Sequence, residues 1–292
     1  MTTYAPPFAT NLEKESTVSK ADSAYDGGHD DKGNGLHQLK SAKSFTISPE
    51  LFEKLYLSPE TRVKGDLRKT FGNPTPLGLL GFILSVSPLA CDLMGWRGAG
   101  GDAANVGAYY FMGGVLCLLS GMLEFFLGNT FPFVVFCSFG GFFLALGATL
   151  TPFFYAYGAF SPDHPEQGLT NNMFEASFGF FMLFMALLCF IYLICALRTN
   201  IVFVIIFFGD FILFCLLAGV YWQEAQGQME LAHQLTVAGG VFALIAVAAG
   251  WYIFFAQMLA ALDFPFQIPV GDMSHLIKGA SEKVVDEERY TV

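Results

Sequence analysis

The chain has 292 residues, of which 54% are hydrophobic and 14% are charged, and its formal net charge is −10. A soluble domain carries about 25% charged residues. Of the 15 Lys and Arg residues, only Arg97 and Arg198 lie between Gly72 and Asp263. This composition excludes a soluble domain for the middle of the chain and predicts a polytopic membrane domain.

The two ends of the chain differ from the middle. Residues 1–70 are polar and predict a largely disordered N-terminal tail, because they bury little apolar surface. A short helix is predicted near 49–57, where Ser-Pro-Glu at 48–50 is typical of an N-cap followed by proline and an acid. Residues 265–292 are interpreted as a C-terminal tail. The first residues lack a basic stretch followed by an apolar core, so no cleaved signal peptide is expected.

Six apolar stretches lie between the tails. A helix needs roughly 20 apolar residues to cross the hydrocarbon core of a bilayer. The candidates are 76–96, 106–127, 131–151, 174–197, 200–222 and 235–262. The predicted fold is therefore an all-α polytopic membrane protein with six transmembrane helices in a domain over 71–264, and the short gaps after the second and fourth stretches predict tight helical hairpins.

The distribution of basic residues predicts the orientation in the membrane. An even number of spans places both tails on one side, and Lys and Arg favour the cytoplasmic side. The other side holds Arg97 alone. Both termini are therefore expected to be cytoplasmic, together with these basic residues: Lys54, Arg62, Lys64, Arg68, Lys69, Arg198, Lys278, Lys283 and Arg289.

The first span opens with FGNPTPLGLLGF at 71–82. Pro74 and Pro76 lack an N–H group, so two of the four N–H groups that a helix start leaves unpaired are absent. Asn73 precedes a proline, which disfavours helical geometry and suits a capping side chain for the N–H of Thr75. The positive end of the helix dipole beside Asn73 suits an anion. A capped start that serves folding alone is the alternative.

The chemistry-bearing side chains do not form a catalytic or metal-binding pattern. The six cysteines lie in or at the edges of the spans without a CxxC pair, and the five histidines are scattered. We therefore predict no metal, no cofactor and no enzyme activity.

The sequence NPTPLGL at 73–79 resembles the signature of the acetate uptake transporter family, which contains bacterial succinate–acetate permeases and fungal ammonia/acetate transporters. GAYYFMGGVLCLLSGMLEFFLGNTFPF at 107–133 and LLCFIYLICALRTN at 187–200 agree with the family too. The resemblance implies six helices per protomer, a hexamer, and a narrow path for small monocarboxylates through each protomer.

The resemblance also implies site residues. Asn73 and Pro74 match the signature, and Phe82 matches the phenylalanine of the family's central constriction. Phe139 stands at the position of a tyrosine, so the ring remains and the hydroxyl is lost. The constriction leucine falls near Ile205 or Ile206, and Ile206 is the candidate site residue.

Three further residues match the family in the stretch MLEFFLGNT: Glu124, Asn129 and Thr130. Glu124 is expected either to titrate or hydrogen-bond in the path, or to snorkel or cap near the turn. Asn129 and Thr130 either contribute to the path or satisfy the turn and begin the third span.

Asp210 lies near the middle of the fifth span, where a charge does not face lipid comfortably. Helical spacing places it on one face with Ile206 and Leu213. Asp210 is expected either to couple a proton to acetate beside the constriction or to be a neutral acid bonded to another helix.

The predicted function is transport of acetate and similar short monocarboxylates across the plasma membrane, coupled to protons, by a homo-oligomer in contact with lipid and without nucleic acid. The alternatives are an ammonia or ammonium exporter and a nutrient sensor that does not transport. Ammonium favours acidic or aromatic sites and acetate favours donors, so Asn73 at a helix start favours the anion.

Overall fold

The computed structural model describes residues 71–273 and residue 277. Six helices in this part of the chain are long and apolar enough to span a membrane. They are α1 (Thr75–Leu93), α2 (Ala103–Phe126), α3 (Thr130–Leu150), α4 (Asn172–Ala196), α5 (Ile201–Ala225) and α6 (Met229–Ala261). The six predicted spans and the all-α fold are confirmed. The predicted helix near 49–57 lies outside the described residues.

Several helix ends differ from the prediction by two to six residues, among them the end of α1 and the start of α6. Helix α1 ends at Leu93 rather than at 96, because Gly95 takes a left-handed conformation with φ of 66°. Helix α6 begins at Met229 rather than at 235. Its first turns are polar, with Glu230 exposed. The prediction was based on the apolar residues alone, whereas the helix begins six residues before the apolar stretch.

Helix α2 is not a plain α-helix. Residues Tyr109–Leu116 form a π-helix between short helical turns and the α-helix Cys117–Phe126. Tyr109 within it is fully buried and stacks on Phe143 of α3, with ring centroids 6.2 Å apart. A wider helical turn changes which side chains face a neighbour, and the hydropathy of the stretch carried no sign of it.

The helices pack in a defined order. Helix α1 lies against α2 and α6, α2 packs along α3, and α4 packs along α5, which packs along α6. Gly113 of α2 allows close approach to α3, because a Cβ atom there would lie 2.4 Å from the ring of Phe143. Aromatic contacts join α3 to the other half of the bundle, such as Phe142 to Phe214 of α5 with centroids 5.1 Å apart.

The helix starts of α1, α3 and α5 lie at one end of the bundle, which we call the tail side. The connections 94–102, 151–171 and 226–228 lie at the other end, the loop side. After α6 the chain folds back along the tail side. The N–H of Ile201 donates to the carbonyl of Gly271, and that of Met273 donates to the carbonyl of Thr199, both at 2.9 Å.

Candidate substrate path

Two cavities lie between α1, α3 and α5, one toward each end of the bundle. The tail-side cavity is lined by residues that include Thr75, Phe131, Thr199 and Ile206. The loop-side cavity is larger, with a volume of about 230 Å³ against about 40 Å³ for the tail-side cavity. Three side chains line both cavities: Phe82, Phe139 and Asp210. The boundary between the cavities is therefore formed by one residue from each of three helices.

Phe82 and Phe139 form the aromatic part of this boundary, which we call the constriction. Their rings meet edge to face with centroids 5.5 Å apart, and Phe143 lies 6.5 Å from Phe82. Both side chains are buried. Aromatic edges and faces offer apolar contacts but no replacement for the hydration shell of an ion. The structure thus brings together the two aromatic residues that the resemblance implied.

Asp210 closes the third side of the constriction. Its side chain is 1% exposed, and its Oδ2 has no hydrogen-bond partner among the described residues. The thiol of Cys189 on α4 lies close enough to interact electrostatically with it. Asp210 therefore lies at the level of the two rings and borders both cavities.

Of the two isoleucines considered for the constriction, Ile206 is buried and Ile205 is partly exposed on the outer surface. Ile206 lines the tail-side cavity alone, one helical turn from Asp210. On α5, the residue at the level of Phe82 and Phe139 is thus Asp210, and Ile206 lies on the tail side of them.

The start of α1 has the local geometry that its sequence predicts. The Oδ1 of Asn73 accepts the N–H of Thr75 at 3.0 Å, so the predicted capping bond is confirmed, although Pro74 occupies the N-cap position itself. The carbonyl of Pro74 accepts the hydroxyl of Ser120 on α2 at 2.8 Å. Asn73 caps the helix beside the tail-side cavity and is not part of its lining.

Glu124 is fully buried and does not snorkel to the surface. One carboxylate oxygen accepts the hydroxyl of Thr75, and the other accepts the side-chain amide of Asn129 at 2.5 Å. The backbone N–H of Asn129 also donates to the carbonyl of Glu124 at 2.9 Å. Glu124 therefore lies behind Thr75, outside the lining of either cavity, and joins α1 to the turn before α3.

The turn between α2 and α3 is tight because Gly128 takes a left-handed conformation with φ of 76°. Thr130 is the first residue of α3 and is exposed. It lies outside the lining of either cavity. Of the predicted site residues, Phe82, Phe139, Ile206 and Asp210 line one or both cavities, and the others belong to the helix starts and the turn behind them.

Several polar lining residues were not predicted. Thr75 and Thr199 line the tail-side cavity, and Asp92 and Glu224 line the loop-side cavity. Asp92 accepts a hydrogen bond from the side-chain amide of Asn105. The signal for the two acids was present, because each is an ionisable residue at the end of an apolar span. The threonines carried no such signal.

Comparison with known proteins places the chain in a family. The profile of the GPR1/FUN34/yaaH family matches residues 57–275. The chain belongs to this family. The resemblance to the acetate uptake transporters is thereby confirmed, and it covers the whole of the six-helix domain.

Three similar relatives come from fungi. The chain is 44% identical over 234 residues to protein alcS of Aspergillus fumigatus, covering 79% of this chain and 86% of that protein. It is 34% identical over 218 residues to acetate permease A of Emericella nidulans, covering 74% and 69%. Ammonia transport outward protein 2 of Saccharomyces cerevisiae is 34% identical over 209 residues, covering 69% of this chain and 68% of that protein.

A solved structure agrees with the fold. The bacterial acetate channel SatP superposes with a TM-score of 0.55 and 27% identity, over 69% of this chain and 99% of that one. Acetate permease A, ammonia transport outward protein 2 and SatP are named as transporters or a channel, in agreement with the prediction that the chain is not an enzyme.

Proposed function

We propose that this protein transports acetate and similar short-chain monocarboxylates across the plasma membrane, and that the transport is coupled to protons. The observation that carries the proposal is the constriction, where two aromatic rings and one carboxyl group separate a tail-side from a loop-side cavity. The names of acetate permease A and of the acetate channel SatP support acetate as the substrate.

The constriction suits a solute that is small and half apolar. Acetate has one methyl group, which the edges of Phe82 and Phe139 can contact without loss of hydrogen bonds. The carboxylate end of acetate crosses such a constriction at a high free-energy cost, because moving an unpaired charge out of water is heavily disfavoured. Coupling to a proton removes this barrier, and Asp210 is the titratable group that faces the narrowest point.

Liposomes that contain the purified full chain test the proposal. An inward proton gradient should drive accumulation of labelled acetate above the level in protein-free liposomes, and an uncoupler should abolish the accumulation while leaving exchange of acetate intact. Acetate uptake equal to that of protein-free liposomes would overturn the proposal. Acetate uptake that an uncoupler does not change would contradict the coupling to protons.

A second candidate function has its own support. Asp92, Asp210 and Glu224 place three carboxyl groups around the loop-side cavity, and acidic groups favour ammonium. Relatives named as ammonia transport outward proteins point the same way. Efflux of ammonium from loaded liposomes, measured beside acetate uptake, separates the two: protein-dependent ammonium efflux without acetate uptake would favour the exporter. A nutrient sensor would show neither flux.

The predicted hexamer and the cytoplasmic position of both termini form part of the same proposal. Mass measurement of the detergent-solubilised protein tests the assembly. Protease protection of tags at the two termini, in intact cells, tests the orientation.

A further inference from the structure

Every polar side chain that lines the two cavities carries an oxygen that can accept a hydrogen bond, and the phenol of Tyr221 can also donate one. These side chains are Thr75, Asp92, Thr199, Asp210, Tyr221, Glu224 and Thr236. Among the described residues, the lining of the two cavities contains no Lys, Arg, His, Asn or Gln. These are the side chains that most readily donate to a carboxylate. The lining therefore lacks the positive charge that an anion path would be expected to use.

The threonine hydroxyls of the lining already donate hydrogen bonds to other groups of the protein. Thr75 donates to the carboxylate of Glu124, Thr199 donates to the carbonyl of Ala196 at 2.8 Å, and Thr236 donates to the carbonyl of Ala232 at 2.9 Å. A hydroxyl group has one proton and two lone pairs. A solute beside any of these three oxygens therefore meets lone pairs, to which it can donate and from which it cannot accept.

Three positions at the helix starts around the tail-side cavity offer no free N–H group. The N–H of Thr75 is taken by Asn73, and the N–H of Phe203 is taken by the Oδ1 of Asn200, both at 3.0 Å. Pro132, which lines the cavity near the start of α3, has no N–H group. Free N–H groups at a helix start are what bind an anion there, and at these positions the N–H groups are capped or absent.

Asp210 extends this acceptor surface into the constriction. Its Oδ2 is buried, has no partner among the described residues and borders both cavities. When ionised, the carboxylate repels a second carboxylate and accepts from a donor. When protonated, it pairs with a group that donates and accepts together, as an undissociated acid or a primary amide does. A neutral solute that donates a hydrogen bond can therefore bind to Asp210 in either protonation state. A carboxylate anion can bind only when Asp210 is protonated.

We propose that the path selects small neutral solutes that donate a hydrogen bond, and that it carries acetamide as well as undissociated acetic acid. The inference rests on the proposed function, because it assigns the same two cavities as the path. Acetamide has the size and the methyl group of acetic acid, donates through its N–H groups, and remains uncharged across the physiological pH range. It therefore separates recognition of the donor from recognition of the charge.

Influx of labelled acetamide into liposomes with the purified full chain tests the inference. We expect influx above that of protein-free liposomes, and we expect unlabelled acetamide to inhibit acetate uptake. Acetone at the same concentration should not inhibit, because it has the same shape and accepts hydrogen bonds but donates none. Asp210→Leu should lower the protein-dependent acetamide influx about tenfold, the effect of losing one buried hydrogen bond.

Asp163→Leu is the matched control for Asp210→Leu, since Asp163 is an exposed acid in the loop before α4 and outside the cavities. Both variants are compared at equal protein per vesicle. Acetate uptake with acetamide influx no faster than in protein-free liposomes would overturn the inference and leave the proposed function intact. Equal inhibition by acetone and acetamide would also overturn it, and this result does not depend on whether the Asp210 variant folds. Absence of both fluxes would overturn the proposed function itself.

Discussion

Phe82 of α1 and Phe139 of α3 meet edge to face with ring centroids 5.5 Å apart, and each ring forms part of the wall of both cavities. An aromatic pair in this geometry contributes about 0.5–1.5 kcal/mol beyond the burial of its area. The two rings therefore hold each other at the narrowest point of the path. If the proposed function holds, the size of these two rings should limit which acids pass.

Phe82→Ala should widen the constriction and admit larger acids. The ratio of lactate or succinate uptake to acetate uptake should rise several-fold, because the removed ring no longer excludes a longer carbon chain. Uptake of the labelled acids by liposomes or by cells that express the chain measures this ratio.

Phe184→Ala is the control for Phe82→Ala. Phe184 is a phenylalanine on α4 that is 64% exposed on the outer surface of the bundle, so its loss removes the same side chain away from the path. It should leave the ratio of acids unchanged. A ratio in Phe82→Ala equal to that of the unmodified chain would show that Phe82 does not set the width.

Asn73→Ala should sharply reduce acetate uptake while the protein still reaches the membrane. The change removes the acceptor for the N–H of Thr75, a residue that lines the tail-side cavity. Loss of a capping side chain costs about 1 kcal/mol, which is too little to unfold a six-helix bundle but enough to disturb the helix start. Uptake is measured together with the amount of protein at the cell surface.

Asn171 provides a matched cap for comparison. Its Oδ1 accepts the N–H of Met173 at 2.9 Å at the start of α4, on the loop side and outside both cavities. Asn171→Ala should cost similar stability and leave uptake intact. If the two variants transport equally well at equal surface levels, the side chain of Asn73 is dispensable.

Glu124→Gln should destabilise the junction of α1, α2 and α3. The glutamine amide replaces one of the two acceptors that now hold Thr75 and Asn129, so a buried donor loses its partner. The expected loss is about 1–3 kcal/mol, seen as a lower midpoint of thermal unfolding in detergent. Glu230→Gln, an exposed acid in the first turn of α6, is the control and should leave the midpoint unchanged. A Glu124→Gln midpoint equal to that of the control would contradict the role of Glu124 as the link.

Asp210→Asn should remove the dependence of acetate uptake on pH that the protein itself contributes. The variant keeps the size and much of the hydrogen bonding of the carboxyl group but does not titrate. Uptake is measured between acidic and neutral pH at a constant concentration of undissociated acetic acid. Under these conditions uptake by the unmodified chain should fall as the pH rises, because deprotonation places a negative charge in the constriction.

The pH profile of Asp210→Asn should be flatter than that of the unmodified chain. Cys189, which interacts with Asp210, and the acids Asp92 and Glu224 of the loop-side cavity remain in the variant, so a change in the profile is assigned to Asp210. A profile identical to that of the unmodified chain would leave Asp210 with a structural role only.

The sequence by itself determined the class of the protein and the positions of its helices. Few charges and long apolar stretches leave a lipid-embedded helical bundle as the stable solution, because every backbone polar group in lipid must be paired within the segment. The bond from Thr75 to Asn73 was predictable too, since a capping bond spans two residues and depends on local geometry.

The tertiary structure alone decided which residues meet in the path. Helical spacing placed Ile206 and Asp210 on one face of α5. The position of α5 along its own axis, relative to α1 and α3, decides which of them lies level with Phe82 and Phe139. The bond between Thr75 and Glu124 joins residues 49 positions apart and removes a donor from the cavity lining. Side-chain packing between helices sets such contacts, and no periodicity within one helix encodes them.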